Sequence, residues 1–80
     1  MDAIDLDGAT PLYRQVADVL ESRIAAGTYP PGRRVPSSRN LADEFGVSRR
    51  TVVAALEILH EKGLVHGVVG RGTFVVETDD

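Results

Sequence analysis

Eighty residues, 42% of them hydrophobic, suffice for one small domain, which buries roughly 60% of the surface of its unfolded chain and leaves no room for an enclosed substrate cavity beside its core. The absence of cysteine excludes a disulfide framework, a thiolate metal site and a cysteine nucleophile, and no apolar run approaches the ~18 residues of a membrane span. Twelve acids against nine bases give a net charge of −3, a balance that by itself argues against a nucleic-acid partner.

The chain opens Met1-Asp2-Ala3-Ile4-Asp5-Leu6-Asp7, acidic and unlike a signal or transit peptide, so a cytoplasmic location is expected. Ile4 and Leu6 alternate with Asp5 and Asp7 in the pattern of a short strand. Thr10-Pro11 predicts the start of a first helix, with threonine as N-cap and proline at the first helical position, where its missing N–H costs nothing. Leu12, Val16, Leu20 and Ile24 recur every four residues, Tyr13, Ala17 and Val19 widen the stripe, and Gly27 closes the helix, which reads as scaffold.

Tyr29-Pro30-Pro31-Gly32 predicts a rigid connector, because two prolines fix an extended or turn conformation and glycine permits a reversal. A short second helix follows, with Ser37 as N-cap, Leu41, Ala42 and Phe45 inward, and Gly46 as its stop. Only Val47 and Ser48 then separate it from a third helix, and so short a bend marked by glycine is the helix-turn-helix signature.

On the third helix Ser48 is the expected N-cap, and Val52, Ala55, Leu56 and Leu59 form the buried stripe. At 100° per residue Arg50 lies about opposite that stripe, beside Val53, Ala54 and Glu57, and Arg49 lies nearer its edge. The helix dipole favours acids in the first turn, so Arg49 and Arg50 there cost stability and point to an anionic partner outside the chain. A recognition helix entering a DNA major groove by its N-terminal end is built this way.

Gly63 ends the third helix and the period changes: Leu64-Val65-His66, Val68-Val69, a turn at Gly70-Arg71-Gly72, then Thr73-Phe74-Val75-Val76 predict a β-hairpin with one cation at its tip. Such a wing suits a phosphate backbone or a minor groove, and Ile4 and Leu6 are expected as a third strand against it. Thr78-Asp79-Asp80 is read as a frayed end.

The charge is unevenly distributed. Residues 1–32 hold five acids against Arg14 and Arg23, and residues 72–80 add Glu77, Asp79 and Asp80, each segment balancing at −3. Residues 33–71 carry Arg33, Arg34, Arg39, Arg49, Arg50, Lys62 and Arg71 against four acids, a balance of +3 that suggests one cationic face.

The fold class is therefore α+β, a winged helix-turn-helix of three helices and a hairpin with a short N-terminal strand, in one domain over 1–80 with its core at 10–77. Its motifs resemble the DNA-binding domain of the GntR family of bacterial transcription regulators. The resemblance runs in order through Pro11-Leu12-Tyr13-Arg14-Gln15-Val16, Gly27-Thr28-Tyr29-Pro30-Pro31-Gly32, Val35-Pro36-Ser37-Ser38-Arg39, Phe45-Gly46-Val47-Ser48-Arg49, Thr51-Val52 and Gly70-Arg71-Gly72-Thr73-Phe74-Val75.

The resemblance implies a repressor on a palindromic operator, bound as a homodimer to double-stranded DNA. It also implies that Arg39, Ser48, Arg49, Arg50, Thr51 and Gly70 approach that DNA. Arginine can pair bidentately with guanine, so Arg49 or Arg50 is the expected base reader. Ser48, Thr51 and the helix-start amides suit phosphate, Arg39 suits either, and Arg71 suits phosphate or the minor groove. Arg33 and Arg34 are weaker candidates.

Departures from the family pattern are Val53, where many members carry arginine, and Gly67-Val68, where basic residues often lead into the wing. Ser37-Ser38-Arg39 with Thr51-Val52-Val53 also resembles the MocR branch, whose C-terminal part is similar to a pyridoxal-phosphate aminotransferase, whereas Ala55-Leu56-Glu57-Ile58-Leu59 resembles the ordinary branches. The family's effector-binding domain is not expected within these residues, nor is a small-molecule effector site, a cofactor or a membrane contact.

Catalysis is not expected. His60 and His66 are separated by the Gly63 stop, His60-Glu61 lacks the second histidine of a zinc-protease helix, and Gly70-Arg71-Gly72 lacks the third glycine of a dinucleotide loop. The competing reading is a winged helix that binds protein, supported by the acidic balance, Val53 and Val68-Val69.

Overall fold

The computed structural model describes residues 4–77. Three helices, α1 (Leu12–Ala25), α2 (Ser38–Phe45) and α3 (Arg49–Glu61), precede two strands, β1 (Val65–Val68) and β2 (Gly72–Val75). Thr78-Asp79-Asp80, read above as a frayed end, lies outside the described residues.

The first helix starts one residue later than the Thr10-Pro11 pattern predicts. Pro11 itself is the N-cap at φ −54° and ψ 145°, and no side chain caps the helix from that position. Gln15 instead ties the entry down: its Nε2 donates to the carbonyls of Thr10 at 2.8 Å and Asp5 at 2.9 Å, and its Oε1 accepts the Asp5 amide at 2.7 Å. With ψ at 145° Pro11 is extended instead of helical, so the first helical residue is Leu12. The stripe of α1 buries Val16, Ala17 and Leu20, while Tyr13 stays exposed under Arg14.

Caps at the other helices follow the local sequence. Ser37 Oγ accepts the Asn40 amide and Ser48 Oγ the Thr51 amide, each at 3.1 Å. Gly46 closes α2 at φ +69°, a left-handed conformation that costs a side-chain-bearing residue about 1–2 kcal/mol, and the chain turns directly into α3.

β1 and β2 pair antiparallel in the register Val65↔Val75 through Val68↔Gly72. The connecting loop is therefore Val69-Gly70-Arg71, and Gly72 belongs to the ladder instead of the turn. The Arg71 amide donates to the Val68 carbonyl at 2.9 Å with Gly70 at φ +77°, as a four-residue turn with glycine third requires.

The third strand expected at Ile4 and Leu6 is absent. Gly8 donates to the Asp5 carbonyl and Asp7 to Asp5 Oδ1, which curls residues 5–8 into a turn, and Leu6 is 61% exposed. The free edge of β2 is taken by the connector: Gly32 donates to Val75, Val75 to Arg33 and Val35 to Thr73, each at 2.9 Å, giving an isolated Arg34↔Phe74 bridge. Once these bonds form, no unpaired edge of β2 remains for the N-terminal segment.

Val16 and Leu20 from α1, Leu41 and Phe45 from α2, Val52, Ala55 and Leu59 from α3, Val35 from the connector, and Val65 and Val75 from the hairpin bury together. Tyr29, which reads from sequence as mere connector, joins this core at 9% exposure. Its hydroxyl accepts from Arg23 Nη1 at 2.6 Å, and the Arg23 guanidinium lies over the Tyr29 and Phe45 rings while pairing with Glu44. That cluster fixes the connector to α1 and α2, and so carries Arg33, Arg34 and Val35 to the sheet.

Candidate nucleic-acid interface

Arg39 occupies the first turn of α2; Arg49 and Arg50 are the first two residues of α3, and all three are exposed. Among the described residues the ion pairs are Arg23–Glu44 and Lys62–Glu21, so Arg39, Arg49 and Arg50 are each left without a carboxylate. The amides of Arg49 and Arg50 precede the first intrahelical acceptor and remain open at the positive end of the helix dipole. Two guanidinium groups held against that dipole leave an unopposed positive site at the helix start.

Ser48 and Thr51 are already engaged with each other. Ser48 Oγ accepts the Thr51 amide and lies 3.0 Å from Thr51 Oγ1. One of these hydroxyl protons is consumed between the two oxygens, so the pair can offer a single O–H outward. Ser48 is exposed and Thr51 half-buried, which favours Ser48 as the outward donor.

Val53, Glu57 and His60 follow along α3 and face the hairpin across a groove of about 580 Å³. Val53 is 45% exposed, and Val35 and Leu56 supply apolar floor. The outward side of α3 thus divides into a cationic first turn and a mixed stripe that looks toward the wing. Ala54, grouped with that stripe in the sequence reading, is half-buried.

At the wing Gly70 and Arg71 are exposed, and Val69 at the loop start is fully exposed at 102%. His66 stays with the hairpin, opposite Phe74 with ring centroids 6.2 Å apart. Arg33 and Arg34, indistinguishable in sequence, are both exposed but part company in their contacts: Arg34 Nη1 donates to the Arg71 carbonyl at 3.2 Å and lines the groove. The only sequence signal for this difference is alternation along an unrecognised strand. Among the described residues no group of three or more histidine, cysteine or acidic side chains is placed to hold a metal ion, and no helix is long and apolar enough to cross a membrane.

Three helices with a tight bend between the second and third, and a hairpin wing, define a winged helix-turn-helix domain. Residues 12–75 match the family described as bacterial regulatory proteins, gntR family. The chain belongs to the GntR family of regulators. It is 46% identical over 70 residues to the mannosyl-D-glycerate transport/metabolism system repressor MngR of Escherichia coli, covering 88% of this chain and 29% of that protein.

Among solved structures it is similar to YtrA from Sulfolobus acidocaldarius, a GntR-family transcription factor, at 39% identity and TM-score 0.78, covering 96% of this chain and 80% of that one. It is also similar to AraR(DBD) in complex with operator ORX1, at 39% identity and TM-score 0.81, covering 84% and 81%. The chain spans 14–29% of the length of curated relatives such as YdfD of Bacillus subtilis and MngR.

Proposed function

We propose that this chain is a sequence-specific DNA-binding domain of a transcription repressor, working in the cytoplasm and carrying no catalytic role. The observation that supports this most is the first turn of α3, where Arg49 and Arg50 stand exposed and without carboxylate partners beside two open amides. In this reading α3 enters a major groove by that end. Arg49 and Arg50 read guanine edges, Ser48 and the open amides grip phosphate, and Thr51 holds Ser48 in place. Arg39 reaches the same groove from α2, and Gly70 and Arg71 carry the wing to the adjacent minor groove.

Two copies on a palindromic operator would occlude polymerase, a mechanism that the family resemblance implies; the repressor naming of MngR and the operator complex of AraR(DBD) support operator binding by a repressor. Selection of bound sites from a random duplex library should enrich a palindrome, and binding of the winner should fall steeply between low and moderate salt, with a log–log slope of about −0.9 per phosphate contact. Enrichment of no site, by the chain alone or fused to a dimerising coil, would overturn the reading and favour a protein partner in the apolar-floored groove.

A further inference from the structure

We propose that Arg34 is a positioning residue for the wing: it holds the Val69-Gly70-Arg71 loop in the orientation that presents the Arg71 side chain. The inference rests on the DNA-binding reading above and goes beyond it, since it assigns a role to a residue outside the helix-turn-helix and outside the hairpin.

Arg34 is attached to the wing three ways. Its backbone forms an isolated antiparallel bridge with Phe74, flanked by the bonds from Val75 to Arg33 and from Val35 to Thr73. Its guanidinium Nη1 donates to the Arg71 carbonyl at 3.2 Å. Its aliphatic stem crosses Gly72 so closely that a Cβ built there would lie 2.9 Å from Arg34 Cδ and 3.4 Å from Cγ. Gly72, at φ +119°, is the one residue type that allows both this backbone and this approach.

A two-stranded hairpin is marginal alone, and this one has glycine in its loop, Gly70, and glycine again at the first residue of β2, Gly72. A charge-assisted bond to the Arg71 carbonyl removes freedom at the residue whose side chain the wing presents. The connector that delivers Arg34 is itself fixed by Tyr29 and Arg23, so the brace is anchored to the helical core. Four further guanidinium N–H groups of Arg34 are left over, and a direct phosphate contact is the rival role the test must separate.

The test is a double-mutant cycle of Arg34→Met, which keeps the stem and loses the hydrogen bond, with Arg71→Ala. Affinity of the 80-residue chain for its selected duplex is read by fluorescence anisotropy at two salt concentrations, beside 15N relaxation of the free chain. Arg34→Met should weaken binding about threefold to tenfold. The penalty for Arg71→Ala should shrink in the Arg34→Met background, and the amides of residues 69–72 should gain fast motion while thermal stability and the α1 and α3 amides stay unchanged.

Additive losses with unaltered loop dynamics would overturn the proposal and make Arg34 a phosphate ligand. If Arg34→Met lowers global stability, citrulline at position 34, introduced by semisynthesis, supplies the second reading: it keeps N–H donors without the charge, so it should keep the loop ordered and most of the affinity if Arg34 is a brace, and lose affinity as Arg34→Met does if Arg34 is only a charge. A wild-type chain that binds no duplex would sink the DNA-binding reading, whereas the loop-dynamics arm still judges the brace.

Discussion

Arg49 and Arg50 look like surface residues: both are exposed, neither is ion-paired among the described residues, and each opposes the helix dipole. Their removal should therefore leave folding intact. Arg49→Ala and Arg50→Ala are each expected to shift thermal stability only slightly, while costing about 1–3 kcal/mol of discrimination at one base pair, which a competition assay with single-substituted duplexes reads directly. A large loss of melting temperature would instead mean that these side chains pack into the domain. Arg23 is the opposite case, an arginine of the same composition and another fate. Its side chain is 13% exposed, roofed by Phe45 and Tyr29 and paired with Glu44, so truncation should destabilise without touching specificity. Arg50 lies opposite Val52 and Leu59, as the helical period predicts, whereas Arg23, which reads with Arg14, Asp18 and Glu21 as mostly off the apolar stripe of α1, is drawn onto the core side by Tyr29 and Phe45.

Elements whose definition is local were legible in the sequence; those decided by distant pairing were not. Ser37, Gly46, Ser48 and Gly63 mark helix ends because the groups they serve lie within four residues, and all four act where the pattern predicts. The Ile4–Leu6 strand failed for the opposite reason. Its alternation was real, but residues 5–8 curl into a turn and the outer edge of β2 is bonded by Arg33, Arg34 and Val35 instead, a pairing across some forty residues that no local window shows. Gln15 repeats the lesson at smaller scale, since its side chain ties down Asp5, ten residues earlier, and the Thr10 carbonyl at the helix entry, where a side-chain cap from Thr10 was expected. The placement of Arg39, Ser48, Arg49 and Arg50 at open helix starts was equally legible, because it depends on those caps alone. The Ser48 cap allows a prediction for α3 as a whole. Ser48→Ala removes the acceptor for the Thr51 amide and the partner of its hydroxyl, and should cost about 1 kcal/mol of stability, measured by urea denaturation. Ser48→Asp should recover the cap but place a carboxylate where a phosphate is proposed to sit, so stability returns while DNA affinity does not.

Charge is organised at the scale of the whole molecule, and its effect on binding has two parts with different ranges. In the proposed complex the first-turn arginines of α2 and α3 would act at contact distance, where a phosphate displaces water and counterions. Glu21 of α1 is paired with Lys62, but Asp7 and Asp18 are exposed and, among the described residues, in no ion pair, so they act only through the long-range field. A net −3 should therefore oppose approach to any DNA, and on the proposed docking the local cations would overcome it only once the helix start is seated. Specificity gains from this arrangement, since a non-specific encounter experiences the repulsion without the full set of contacts. Replacing Asp7 and Asp18 by asparagine should accordingly raise affinity for random-sequence duplex about twofold to fourfold at low ionic strength, with the gain fading at physiological salt, where the Debye length is about 8 Å. Affinity for the selected site should rise by no more than the same factor, so discrimination between the two should not improve. An increase confined to the selected site would show that one of these acids faces the bound DNA directly, and would move the contact surface from the α2–α3 face toward α1.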